Sequence, residues 1–139
     1  MAIQAGLGDY LAVDRSDGNV SDISDNVNSV EITNNQNLID ATTLSKSAIE
    51  RIIGLGDFGV TINGTFDSAT NKSHDVFKTK SGTRTVSYAI GGNTQGNPII
   101  EVECLISEYN ISRGADGTLT FTAALQGESG AVATWSVVP

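Results

Sequence analysis

Three stretches of this chain alternate apolar and polar residues with a period of two, and they limit its possible folds more than any other feature. In residues 60–66, Val60, Ile62, Gly64 and Phe66 fall on one side, and Thr61, Asn63 and Thr65 on the other. In 99–111, Ile100, Val102, Cys104 and Ile106 share a face opposite Glu101, Glu103 and Leu105. In 118–126, Leu119, Phe121, Ala123 and Leu125 alternate with Thr118, Thr120 and Thr122. This period belongs to strands with one buried face. In the longest stretch the apolar phase moves to Tyr109 and Ile111, which predicts a bulge near Ser107 and Glu108. Ala115-Asp116-Gly117 predicts a hairpin turn before the last stretch.

Weaker strand patterns fill much of the remainder. Residues 10–13 and 20–23 predict short strands on either side of a polar, turn-rich loop within 14–28. Residues 29–33 place Val30 and Ile32 on one face, Asn34 to Asn37 read as a turn, and 38–43 return to form a hairpin. Residues 83–90 put Val86, Tyr88 and Ile90 on the core face, and 131–138 form a last strand carrying Trp135 and Val137. Residues 68–79 predict a short helix with Val76 and Phe77 packed inward. The expected fold is mainly β: a β-sandwich or barrel of seven or eight mostly antiparallel strands with one or two short flanking helices. A chain of 139 residues is expected to form one domain, with 1–10 as an apolar N-terminal arm. Apolar residues make up 39% and charged residues 17%, the balance lying in Gly, Ser, Thr and Asn, which suits strands and turns.

Residues 43–57 connect two strands yet are too apolar for an idle loop. Ala48, Ile49, Ile52 and Ile53 have the spacing of one helical stripe. Ser47 and Glu50 fit a capping box and Gly54 a C-terminal stop. A helix this short is marginal in water unless its stripe is covered. The expected cover is a neighbouring copy of the chain.

Net charge is −8 and unevenly distributed. Residues 1–45 carry seven acids and one base, 46–84 four acids and six bases, and 85–139 five acids and one base. Acidity argues against coating nucleic acid, which needs clustered Lys and Arg; it is compatible with repelling a polyanion, though plain solubility accounts for it more readily. A positive middle between negative ends lets copies complement one another. With Cys104 alone there is no internal disulfide or thiolate metal cluster. No leader pattern occupies 1–10, and no apolar run is long enough to span a bilayer, so a soluble protein without membrane partners is expected.

The chemical motifs are incomplete. Gly54-Leu55-Gly56-Asp57-Phe58-Gly59 matches G-x-G-x-x-G, but a strand follows where dinucleotide binding needs a helix. His74 is the sole histidine and lacks a nucleophile-and-carboxylate pattern; it is expected on an exposed side. Glu101 and Glu103 read as a solvated or negative wall sooner than as a hydrolytic pair. Neither 14–19 nor 22–28 fits a calcium loop, and Cys104 is expected to be an inert core residue. No catalytic residue, metal ligand or cofactor site is assigned, and the chain is not expected to be an enzyme.

In feature order, SVEIT, IDATTLS, IIGLGDFGVTINGTFD, HDVFK, RTVSYAI, IIEVECLISEYNISRGADGTLTFTAALQGESG and the terminal Trp135 strand resemble the major tail tube proteins of long-tailed bacteriophages. The resemblance covers about three quarters of the chain. It implies a structural virion subunit that forms hexameric rings stacked into a hollow tail tube, a conduit for viral DNA that passes without specific binding. It implies partners: further copies of the chain and the tape-measure, tail terminator and baseplate proteins. It implies a location in the virion tail after synthesis in the host bacterial cytoplasm. By position, Lys46, Ile49, Arg51, Ile52, Ile53 and Leu55 become candidates for inter-ring contact. Glu31, Glu101 and Glu103 become candidates for an acidic lumen. The alternative is a non-enzymatic β-sandwich binding or decoration module on a virion surface, which would need an exposed aromatic platform.

Overall fold

A computed structural model describes residues 8–45, 47–128 and 133–139. Its strands are β1 (Tyr10–Asp14), β2 (Val20–Asp22), β3 (Val27–Asp40), β4 (Arg51–Thr65), β5 (Thr83–Ala89), β6 (Pro98–Arg113), β7 (Leu119–Gly127) and β8 (Trp135–Val137). One short helix, α1 (Ser73–Phe77), and a 3-10 turn, Ser24–Asn26, complete the secondary structure of the described residues. All pairings are antiparallel, in the order β2-β1-β5-β6-β7-β4-β3, with β8 added beside β6. The mainly β, sandwich-like expectation is met.

β6 shapes the whole. Its first half pairs with β5 and its second with β7, and the register breaks between Ile106 and Glu108 where a bulge was expected. Up to Ile106 alternate residues are buried; beyond it only Tyr109 stays half-buried. The bend lets one sheet wrap its own core, in which Leu11, Val60, Val86, Val102, Phe121 and Ile23 join one cluster. α1 covers this inner face with Val76 and Phe77, as expected. Phe77 lies 5.7 Å from both Tyr109 and Phe121, centroid to centroid. Ser73 anchors the helix start by donating from Oγ to the Thr65 carbonyl at 3.1 Å.

Arg84 is fully buried and holds the far end of that helix. Its Nη1 donates to the carbonyls of Val76 (2.7 Å) and Asp14 (3.1 Å), and its Nη2 to those of Thr79 and Ser81. One planar fork thus collects carbonyls from β1, from the last turn of α1 and from the loop before β5. Burial lowers its pKa from the usual value, and the charge of Asp14 opposes this.

Several expectations fail. No turn occupies 34–37: β3 runs through Asn34, Asn35 and Gln36, which face Phe58, Asp57 and Gly56. No helix forms among the described residues of 45–53. β4 already begins at Arg51, and Gly54, the expected helix stop, lies within it. Gly54 packs closely there, since a Cβ would come within 3.2 Å of the Ile39 side chain. The last strand carries Trp135 and Val137 as expected, but both are exposed, and it is Val138 beyond it that is buried. On β5 Ala89 is buried, while Tyr88 and the following Ile90 are half-buried. His74 is not on an exposed side: it is half-buried, with Nδ1 3.1 Å from the Tyr109 hydroxyl and its ring against Phe66. Most of the expected N-terminal arm, as well as residues 131 and 132, lies outside the described residues.

Candidate functional site: an apolar ribbon and an acidic sheet face

β4 pairs with β7 only from Gly59 to Thr65. Beyond that, 35–40 and 51–57 pair with each other alone, as a two-stranded ribbon projecting from the sheet. The loop 41–50 caps it. The Ala41 amide donates to the Glu50 carbonyl (2.9 Å), and the Glu50 amide donates to Thr42 Oγ1 (2.7 Å). Asp40 Oδ1 accepts from the Thr42 amide (2.9 Å). Hydrogen bonds from the Thr42 side chain and backbone hold the Asp40 carboxyl below its ordinary range.

The ribbon is apolar on both faces. Directly opposed residues share a face and neighbours alternate. Leu38 pairs with Ile53, and Ile39 with Ile52. A bulge sets Gly54 and Leu55 against Asn37, between the pairs Gln36–Gly56 and Leu38–Ile53. Leu38 and Ile53 therefore continue the core side of the sheet, and Ile39, Ile52 and Leu55 the outer side. All are exposed, Leu55 at 86% and Ile53 at 72%. Of the six expected contact residues, Arg51, Ile52, Ile53 and Leu55 lie on the ribbon, Ile49 is exposed in its loop, and Lys46 lies outside the described residues. Leu38 and Ile39 extend the same exposed apolar surface and went unassigned. The mirrored dipeptides Leu38-Ile39 and Ile52-Ile53 were the available signal.

The second surface is the outer face of the sheet. The register sets Glu31 beside Thr61, Thr61 beside Ala124, and Ala124 beside Glu108. Glu103 and Glu101 lie on the same face, opposite Thr85 and Ser87. All three expected acids, with Glu108, thus share one face and are exposed. At the described positions of this face on β3 to β7, the register brings no Lys or Arg among them. Hydroxyls and amides fill most of the spaces around an exposed Leu105: Asn63 Nδ2 donates to Ser29 Oγ (3.2 Å), and Thr122 Oγ1 donates to Asn63 Oδ1 (2.8 Å). The Glu103 carboxylate accepts from Thr85 Oγ1, and Glu101 accepts from Ser87 Oγ at 3.3 Å. A smooth, hydrated, negative surface repels polyanions.

The motifs tested for chemistry land on structural positions. The glycine pattern lies within β4, with no helix after it to receive a phosphate. His74 meets an aromatic cluster and the Tyr109 phenol, and the neighbouring Ser73 hydroxyl is committed to the Thr65 carbonyl. A groove of about 480 Å³ lies between β1 and β3, lined in part by Asp9, Leu11, Val30 and Tyr88. Two of its polar groups pair with each other: Tyr88 donates its hydroxyl proton to Asp9, which also accepts from the Gly91 amide at 2.8 Å. Burial and then Asp9 push the Tyr88 pKa up to about 12, so the phenol stays protonated at neutral pH. Cys104 is buried, and burial followed by the nearby Glu103 raises its pKa to about 12, which leaves the thiol inert. Among the described residues no group of three or more His, Cys, Asp or Glu could hold a metal ion.

No family model and no curated protein sequence matches the chain. Solved structures do. The chain is similar to one in the tail of an empty gene transfer agent particle, refined helically with C6 symmetry. The two are 15% identical over 95% of this chain and 99% of that one, with a TM-score of 0.73. It is similar to a chain in the virion of the native gene transfer agent particle, 16% identical over 95% and 99%, with a TM-score of 0.66. A chain in the six-fold symmetrised baseplate of the anti-feeding prophage is 11% identical over 99% of both, with a TM-score of 0.64. The chain thus has the fold of phage-like tail and baseplate proteins, as its resemblance to the tail tube family implies.

Proposed function

We propose that this chain is a structural subunit of a phage-like virion tail, which forms hexameric rings stacked into a hollow tube for DNA. The observation that carries this reading is the uncovered ribbon. A two-stranded ribbon is marginal in water by itself, and this one exposes five large aliphatic side chains. Such a surface belongs against protein. The C6 symmetry of the similar gene transfer agent tail supports further copies of the chain as that protein. Ring closure needs a heterologous, head-to-tail contact, for which the alternating charge of the chain provides complementarity.

In this reading the ribbon and its loop reach the next ring through Lys46, Ile49, Arg51, Ile52, Ile53 and Leu55. Glu31, Glu101 and Glu103 line the bore, where a negative wall keeps passing DNA unbound. Tape-measure, terminator and baseplate proteins are the other partners, the virion tail is the location, and no catalysis is involved. The binding-module alternative has one observation in its favour, the exposed Trp135. Among the described residues it is the only exposed large aromatic, which falls short of a stacking platform.

Negative-stain microscopy of the purified chain over a concentration series tests the reading. Rings with six-fold symmetry or hollow tubes are expected. A chain that stays monomeric at high concentration and across salt conditions overturns it.

A further inference from the structure

The ribbon's two apolar faces point in opposite directions, and this constrains how it is covered. A segment lying on the surface of one partner keeps an apolar face down and a polar face up. Here Leu38 and Ile53 mark one face and Ile39, Ile52 and Leu55 the other, and all five are exposed. Surfaces packed on opposite faces of a ribbon stand about 20 Å apart, one intersheet spacing of about 10 Å on each side. One convex subunit surface does not reach both. Its own domain covers neither, because the marker side chains of both faces stay 46–86% exposed in the folded chain. A closed ring of identical copies offers a suitable site at each seam between neighbouring copies.

We infer that each ribbon inserts between two different copies of the chain, one against the Leu38–Ile53 face and one against the Ile39–Ile52 face, so that one arm ties three subunits together. This rests on the tube reading and goes further, because it gives each face its own partner. Loss of either face alone should therefore weaken assembly, since the second copy cannot compensate for the first.

A benzophenone amino acid incorporated at Leu38, at Ile39, or at both in the same full-length chain provides the test. The labelled chain is diluted about twentyfold into unlabelled chain, so that labelled arms meet unlabelled partners, then assembled and irradiated. The single-site chains should each give a two-chain product, with cross-linked peptides from different stretches of the partner. The doubly labelled chain should give a three-chain product in a yield near the product of the two single-site yields. In parallel, Ile53→Asp and Ile52→Asp should each raise the concentration needed for assembly at least about tenfold, the cost of about 1.4 kcal/mol in association. Unchanged circular dichroism and unfolding midpoints would show that both monomers fold. Two-chain products alone from the doubly labelled chain, or one silent face, overturn the two-copy arrangement while wild-type tubes still uphold the tube. Failure of the wild type to assemble removes both.

Discussion

Arg84 shows how much of this fold depends on a single side chain. Among the described residues it is the largest that is fully buried, and the groups its guanidinium meets are all backbone carbonyls, from Asp14, Val76, Thr79 and Ser81. A helix of five residues cannot hold itself, so its C-terminal carbonyls need an external donor. Arg84→Met removes the donors and leaves those carbonyls buried. It should cost about 3 kcal/mol, read as a lower urea midpoint. Arg84→Lys should recover only part of this, because one ammonium cannot span the same fork. An unchanged midpoint in Arg84→Met would show that the clamp contributes nothing. Nothing in the strand pattern around Arg84 announced this role: in sequence it is a polar residue at a strand start, and its partners lie in three separate segments.

The strands divide into those a reader of the sequence can find and those it cannot. β6 and β7 alternate cleanly because each has one face on the core and one in water, and the β6 bulge shows as a break in that alternation. The β3–β4 ribbon has no such contrast. Its apolar residues come in adjacent pairs, one for each face, and with Ala48 and Ile49 those pairs imitate helical spacing. Asn34, Asn35 and Gln36 imitate a turn because a solvent-facing ribbon tolerates polar residues on both strands. In the isolated chain the ribbon amides of Ile39, Ile52 and Ile53 should exchange with deuterium well before those of Ile62, Ala123 and Leu125 in the core. On assembly the ribbon should become protected. Equal protection in both states would show that nothing covers the ribbon.

Across the molecule, charge and shape are separated. One face of the sheet carries Glu31, Glu101, Glu103 and Glu108 among threonines, serines and asparagines, whereas five of the exposed large aliphatic residues gather on the projecting ribbon. If that face lines a bore, reversing it should make the bore adhesive. Tubes bearing Glu31→Lys, Glu101→Lys and Glu103→Lys should bind short duplex DNA at low salt, lose it as salt rises, and differ in both respects from wild-type tubes in fluorescence anisotropy. Equal DNA binding by the two would move the lining elsewhere. β4 belongs to both regions. Its fifteen residues extend about 50 Å at about 3.3 Å each, roughly half hydrogen-bonded into the wall and half beyond it. That makes it a cantilever. A tilt of about five degrees at its root, near Gly59, moves the tip by about 2 Å over the free length. A tube joined by such springs can follow a curve, closing on one side and opening on the other, while every bond in its wall stays in register.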